Sequence, residues 1–285
     1  MSVSIDYTPN FLKVVVHRNE KLPDMYGLHV PFENKVWMAE TFVELLFEYL
    51  PEFTLRYTEF QNINGANAIA KLRDAARSVY QTKKFENRGE FGELMLHTIL
   101  RELHHTVPAV SKIFYKDSGN DTVKGFDAVH VVDTDDELEL WLGEVKFYKD
   151  AKQAARDVIK ELADHFKTNF LRNEFMFITN KIDDAWPHAD TLKKMISSKT
   201  SLDDIFSRIK IPVLITYDSD VLNASNSYTE AFVASITTEF DAIHDYFIDK
   251  LGGFEYEIHL YLLPMKSKEE LIKLMDNRLM VWKMI

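Results

Sequence analysis

The sequence contains no cysteine, which excludes disulfides, thiolate metal sites and cysteine nucleophiles and leaves carboxylate, histidine, lysine and hydroxyl groups to carry any chemistry. Glycine and proline are scarce, with 9 and 8 in 285 residues, and no repeat, low-complexity tract or obvious linker interrupts the chain. An ordinary globular protein of one large or two small domains is expected. No run of about 18 apolar residues occurs, and the opening MSVSIDYTPN lacks the basic-then-apolar order of a secretory signal. Neither membrane insertion nor export is indicated, so a cytoplasmic protein is expected. Positive charge is also short: 34 Lys and Arg against 45 Asp and Glu give a net charge of -11. Such a chain attracts no phosphate globally, which argues against a stand-alone, sequence-independent nucleic-acid binder. The charge is uneven, however, and a local basic stretch (Lys71, Arg73, Arg77, Lys83, Lys84, Arg88) faces only two acids.

What is present is apolar patterning, with 46% hydrophobic residues, enough for a sizeable core. FLKVVVHR predicts a strand and LPDMYGLHVPF a loop, while VWMAETFVELLFEYL and ANAIAKLRDAARSVY have helical spacing; the first ~85 residues are expected to be mainly helical. From Arg88 the order is helix FGELMLHTILREL, strand VSKIFY, two strand-like runs, helix AKQAARDVIKELADHF and strand EFMFIT. Helices over 186–198 and 202–209 and strand IPVLITY follow, then a helix over 228–251, strand FEYEIHLYLL and a last helix from Lys268. The expected class is α/β: a mixed β-sheet flanked by helices over 88–218, a helical region over 1–87 and an α+β extension over 219–285.

Chemistry concentrates in GFDAVHVVDTDDELELWLGEVKFYKD. Its acidic centre DTDDE reads as a hairpin turn between two strands, and a loop centred between Asp135 and Asp136 sets Asp127 directly opposite Glu144. Opposed Cβ atoms lie about 4.5–5.5 Å apart and like charges there repel; a shared cation removes the conflict. Lys146, two residues past Glu144, projects from the same face and lies opposite Gly125. An acid two places before a lysine is common by itself, since Glu33 with Lys35 and Asp150 with Lys152 also match. Only Glu144 ends an apolar run, LWLGEVKF, with another acid one strand upstream. The competing reading, a solvated edge hairpin, is weakened by Leu138, Leu140 and Leu142, whose apolar face Glu144 and Lys146 continue. In RGEFGELML, Glu90 and Glu93 share a helix face. Glu90 suits a helix start; Glu93, set deeper, is the better candidate. His97, His104 and His105 have no metal-ligand spacing and are expected at a helix end or on the surface.

The order helix with Glu93, strand, strand with Asp127, strand with Glu144-Val145-Lys146, helix, strand resembles the PD-(D/E)XK nuclease superfamily, with Phe126 where a proline is usual. Over nearly the whole length, including LHVPFE, RGEFGE, KGFDAVHV and LWLGEVKFY, the chain is similar to the HamA family, nuclease subunits of the Hachiman antiphage defence system. The resemblance implies a restriction-endonuclease-like core and a Mg²⁺- or Mn²⁺-dependent deoxyribonuclease, hard ions that suit oxygen ligands. Asp127, Glu144 and the Val145 carbonyl would ligate the ion, Lys146 would position water and stabilise charge, and Glu93 would hold a second ion or orient the water. Lys149, Lys152, Gln153 and Arg156 in the next helix are candidate DNA-backbone contacts. A HamB-type superfamily 2 helicase is the implied partner, which would deliver DNA to an acidic nuclease; the segments outside the core are its candidate docking surfaces. Two alternatives stay open: a self-sufficient restriction- or repair-type nuclease, and a non-catalytic scaffold on a nuclease fold.

Overall fold

The computed structural model describes residues 11–20, 22–79, 89–111, 125–134, 137–254 and 256–285. The chain begins with strands β1 (Lys13–Arg18), β2 (Asp24–His29), β3 (Phe32–Glu33) and β4 (Val36–Trp37), then helices α1 (Ala39–Thr54), α2 (Tyr57–Gln61), α3 (Ala68–Ser78) and α4 (Gly89–His104). Strands β5 (Val107–Pro108), β6 (Ala128–Thr134) and β7 (Glu137–Phe147) lead into helices α5 (Ala151–His165), α6 (Thr168–Lys181), α7 (Ala189–Met195) and α8 (Leu202–Phe206). Strand β8 (Ile209–Asp218), helices α9 (Asp220–Asn223) and α10 (Glu230–Leu251), strand β9 (Glu257–Met265) and helix α11 (Lys268–Met284) complete it.

Seven strands make one mixed sheet in the order β1-β2-β9-β8-β7-β6-β5. The inner four, β2, β9, β8 and β7, run parallel, and the outer pairs β1–β2, β6–β7 and β5–β6 are antiparallel. Parallel strands are covered on both faces, and so read as near-continuous apolar runs; Leu140, Leu142, Val213, Leu214, Leu260 and Leu262 are all fully buried. Helix α4 lies on one face of β7. A Cβ on Gly143 would meet Leu96 Cδ2 at 2.8 Å, and one on Gly92 would meet Phe147 Cβ at 3.0 Å, so these two glycines permit the close approach. Helix α5 covers the opposite face, against Glu144 and Lys146.

Two expectations are corrected. LPDMYGLHVPF is not a loop, because it contains β2, whose last five residues are buried between β1 and β9; with it, the first ~85 residues supply strands to the main sheet as well as helices. EFMFIT is not a strand but part of α6. Leu171, Phe175 and Ile178 are buried at helical spacing while Phe177 is 45% exposed; a strand would have put Phe175 and Phe177 on one face. The main sheet draws strands from all three segments, β1 and β2 from 1–87 and β9 from 219–285. VSKIFY falls largely outside the described residues; its described start is not a strand, and β5 lies just before it.

Candidate active site

The β6–β7 ladder pairs Ala128 with Gly143, Asp133 with Leu138 and Thr134 with Glu137, while 135–136 lie outside the described residues. Continued by one residue, this register sets Asp127 opposite Glu144. Two hydrogen bonds fix Asp127 there: its backbone N–H donates to the Gly143 carbonyl at 2.8 Å, and its Oδ2 accepts from the Val145 N–H at 3.0 Å. Glu144 is 2% exposed, and His165 Nδ1 donates to its Oε1 at 2.6 Å. The Lys146 ammonium pairs with Glu161. Glu161 and His165 stand four apart on α5, so one helix face meets both alternate residues of β7.

These contacts set the charges. Burial, then the field of Asp127, pushes the Glu144 carboxyl up to about 7, against the opposing pull of His165 and Lys146. For His165, burial acts to lower the pKa, but the hydrogen bond to Glu144 and its charge outweigh this and the pKa is raised. Lys146 follows the same logic: burial opposes its charge, and Glu161, Asp127 and Glu144 more than restore it, so it is raised. A protonated lysine therefore stands beside Glu144, a carboxyl that burial and Asp127 leave reluctant to ionise.

An open groove of about 830 Å³ exposes this chemistry. Glu93, Asp127, Val145, Lys146, Lys149 and Gln153 all line it; Glu144 is buried and does not. Glu93 reaches the groove because Gly92 brings α4 against Val145 and Phe147. Lys152 and Arg156 do not line it. Arg156 Nη1 donates to the Tyr246 hydroxyl at 3.0 Å, and Lys152 Nζ lies 5.4 Å from the Tyr246 ring centroid. Lys149 precedes α5 and Gln153 lies in its first turn, both toward the groove, while Lys152 and Arg156 share another helix face at four-residue spacing.

Among the described residues no three His, Asp or Glu side chains converge as a ready ion cage. The donors nonetheless fit a hard divalent ion that keeps several waters: Asp127, Glu93 and Val145 line one groove, and burial beside Asp127 disfavours the charge on Glu144, which a cation would favour. The histidine expectation holds for His104, the last residue of α4, and for the exposed His105, and is corrected for His97, which is buried in mid-helix. His97 is 2% exposed, with Nδ1 3.1 Å from His130 Nε2 and Nε2 3.2 Å from Glu52 Oε2. His104 packs against Trp141 and meets the Tyr261 hydroxyl at 2.5 Å; burial pushes it down to about 3. Only His105 of the three is exposed.

Sequence reasoning missed Glu161 and His165, which hold Lys146 and Glu144, and Glu174, whose Oε1 accepts from the Phe126 N–H at 3.2 Å. A polar pair at four-residue spacing in the helix after Glu144-Val145-Lys146 was the available signal. No curated protein matches the chain, and no helix among the described residues is long and apolar enough to cross a membrane. The family model HamA matches residues 6–279, which takes in the groove, the β6–β7 hairpin and the helices on both sides of it. That match spans nearly the whole sequence, and the chain belongs to the HamA family of Hachiman defence proteins.

Proposed function

We propose that the chain is a metal-dependent deoxyribonuclease with a PD-(D/E)XK-like catalytic hairpin, acting as the effector of a helicase-coupled antiviral complex. The observation that carries this reading is the meeting of Asp127, Val145 and Lys146 in one open groove, with Glu144 opposite Asp127 in the ladder. An open groove admits a polymer, and the paired acids with an adjacent lysine match the needs of phosphodiester hydrolysis. Mg²⁺ or Mn²⁺ held by Asp127, Glu144 and the Val145 carbonyl, with Glu93 nearby, would neutralise charge at the scissile phosphate and make the attacking water more acidic.

The chain's own groups do the rest. Lys146, kept protonated by its carboxylate neighbours, stabilises the negative charge that grows on the phosphate oxygens and orients the attacking water. Glu161 holds the Lys146 ammonium, and His165 holds the Glu144 carboxylate. Lys149 and Gln153 contact the backbone of the strand being cut, positioning it without reading sequence. The net charge of -11 makes unaided capture of DNA weak at physiological salt, so a HamB-type superfamily 2 helicase delivers the substrate.

The test is cleavage of linear and circular duplex DNA by the purified chain with Mg²⁺ or Mn²⁺, with and without the helicase and its nucleotide. Weak cutting that recovers with the helicase, and is absent in Asp127→Ala, Glu144→Ala and Lys146→Ala, is expected. Folded variants that protect cells against phage as well as the wild type would leave only a scaffold. Rapid cutting at physiological salt that ignores the helicase would mark a self-sufficient nuclease.

A further inference from the structure

The groove holds a second cationic feature, contributed by the C-terminal segment. Lys268, the first residue of α11, lines the groove together with Lys149 and Gln153. Asp218, at the end of β8, ties the two lysines together through their backbones. Its N–H donates to the Lys149 carbonyl at 3.0 Å, and its Oδ1 accepts from the Lys268 N–H at 2.8 Å. The Lys268 ammonium lies 4.8 Å from the centre of the Phe147 ring and 6.0 Å from that of Tyr148. The charges that act on it are those of Lys149 and of the Asp218 carboxylate, in opposite senses. Lys149 is paired with Glu269, but both side chains are more than half exposed, at 57% and 60%, and such a pair contributes little to stability.

Two lysines held side by side repel each other, and the fold keeps them together in a chain that is otherwise rich in acid. Burial, then the charge of Lys149, lowers the Lys268 pKa. The exposed Glu269 is a replaceable counterion for this pair. An anion with several oxygens and a hydrogen-bond acceptor for Gln153 satisfies all three groups at once.

We infer that Lys268 and Lys149 form a phosphate subsite in the groove that binds a backbone phosphate of nucleic acid beside the one being hydrolysed. The inference rests on the nuclease reading for the identity of the polymer. Its physical content is separate: a binding step that needs neither Asp127 nor an ion.

Binding of a labelled short duplex to the full chain in chelator, titrated across salt from a low starting concentration, tests it. Lys268→Ala is expected to weaken binding several-fold for all sequences alike and to reduce the log–log salt slope by about 1. Lys268→Arg should keep the wild-type slope, and Glu269→Ala should tighten binding by freeing Lys149. Melting temperatures of the three variants should match the wild type, since only the side chains beyond Cβ change in an open groove. An unchanged affinity and slope in Lys268→Ala overturns the subsite, as does the absence of any duplex binding by the wild type at low salt. Competition by inorganic phosphate as effective as by duplex would overturn its assignment to a polymer backbone. Failure of the nuclease reading looks different: the wild type would bind duplex in a Lys268-dependent way yet never cut it with Mg²⁺ or Mn²⁺.

Discussion

Two polar clusters flank strand β6, and they are built to opposite rules. In the first, Glu52, His97, Arg101, Thr106 and His130 close on one another: Arg101 Nε donates to Glu52 Oε2 at 2.8 Å, and Thr106 Oγ1 lies 2.7 Å from His130 Nδ1. One carboxylate meets one guanidinium, and both histidines are pushed down by burial toward the neutral form. In the second, Asp127, Glu144, Glu161 and Glu93 outnumber Lys146, even with His165 raised, and the cluster opens into a groove. A buried network that balances its own charge specifies a fold. One that is left out of balance beside solvent is ready for something from outside.

The largest effect should come from breaking the unbalanced cluster. Asp127→Ala and Lys146→Ala should each lower DNA cleavage by about 10³-fold or more, with circular dichroism and melting temperature close to wild type. Next, Arg101→Ala or Glu52→Ala should leave a part-buried charge without its partner and cost about 1–2 kcal/mol in urea unfolding, while the activity per folded molecule stays unchanged. The converse pattern, with Arg101 controlling activity and Lys146 controlling stability, would abolish the distinction.

Mg²⁺ should stabilise the wild type by about 2–3 kcal/mol when well above its Kd, and Glu144→Gln should remove most of that gain, as read by thermal unfolding. In chelator, the Glu52 and Glu144 carboxylates should respond to pH with opposite signs. Burial pushes Glu52 up, but His97 and Arg101 outweigh it and hold the carboxyl below its ordinary 4.5; its contribution is present above that value and lost as pH falls. Glu144 is raised from 4.5 to about 7, so its contribution is present at low pH and lost as pH rises through neutrality. Glu52→Gln should therefore flatten the acid side of the stability profile, and Glu144→Gln the neutral side. The smallest effects belong to Lys35→Ala and Lys152→Ala, lysines that follow an acid by two residues but lie away from the groove. Cleavage should persist in both.

Much of the site was legible because hairpin register is arithmetic: a turn centred between Asp135 and Asp136 leaves Asp127 no partner but Glu144. Glu93 was legible from helical spacing, since Gly92 marks the side on which α4 can approach β7. His165 and Glu161 left only their four-residue spacing as a signal, and which partners that face would meet depends on how α5 is rotated against β7, a tertiary quantity. Strand β2 was hidden for a different reason. It lies inside the sheet with both faces covered, so it shows no alternation, and Pro23, Gly27 and Pro31 around it carry the composition of a loop. In EFMFIT the β-favouring residues pointed the wrong way, because packing of Leu171, Phe175 and Ile178 decided the matter against intrinsic preference.

Strand β9 lies between β2 and β8, so Gly27 is joined through Leu262 to Ile215. During synthesis on the ribosome, β2 is made early and waits for a neighbour that emerges more than two hundred residues later. Until then the parallel part of the sheet is incomplete, and the wall of the groove that bears Lys268 does not exist. Long-range parallel pairing of this kind is slow to form. Under the proposed nuclease activity this order of assembly is a temporal safeguard: the nascent chain carries Asp127, Glu144 and Lys146 well before it has the complete surface around them.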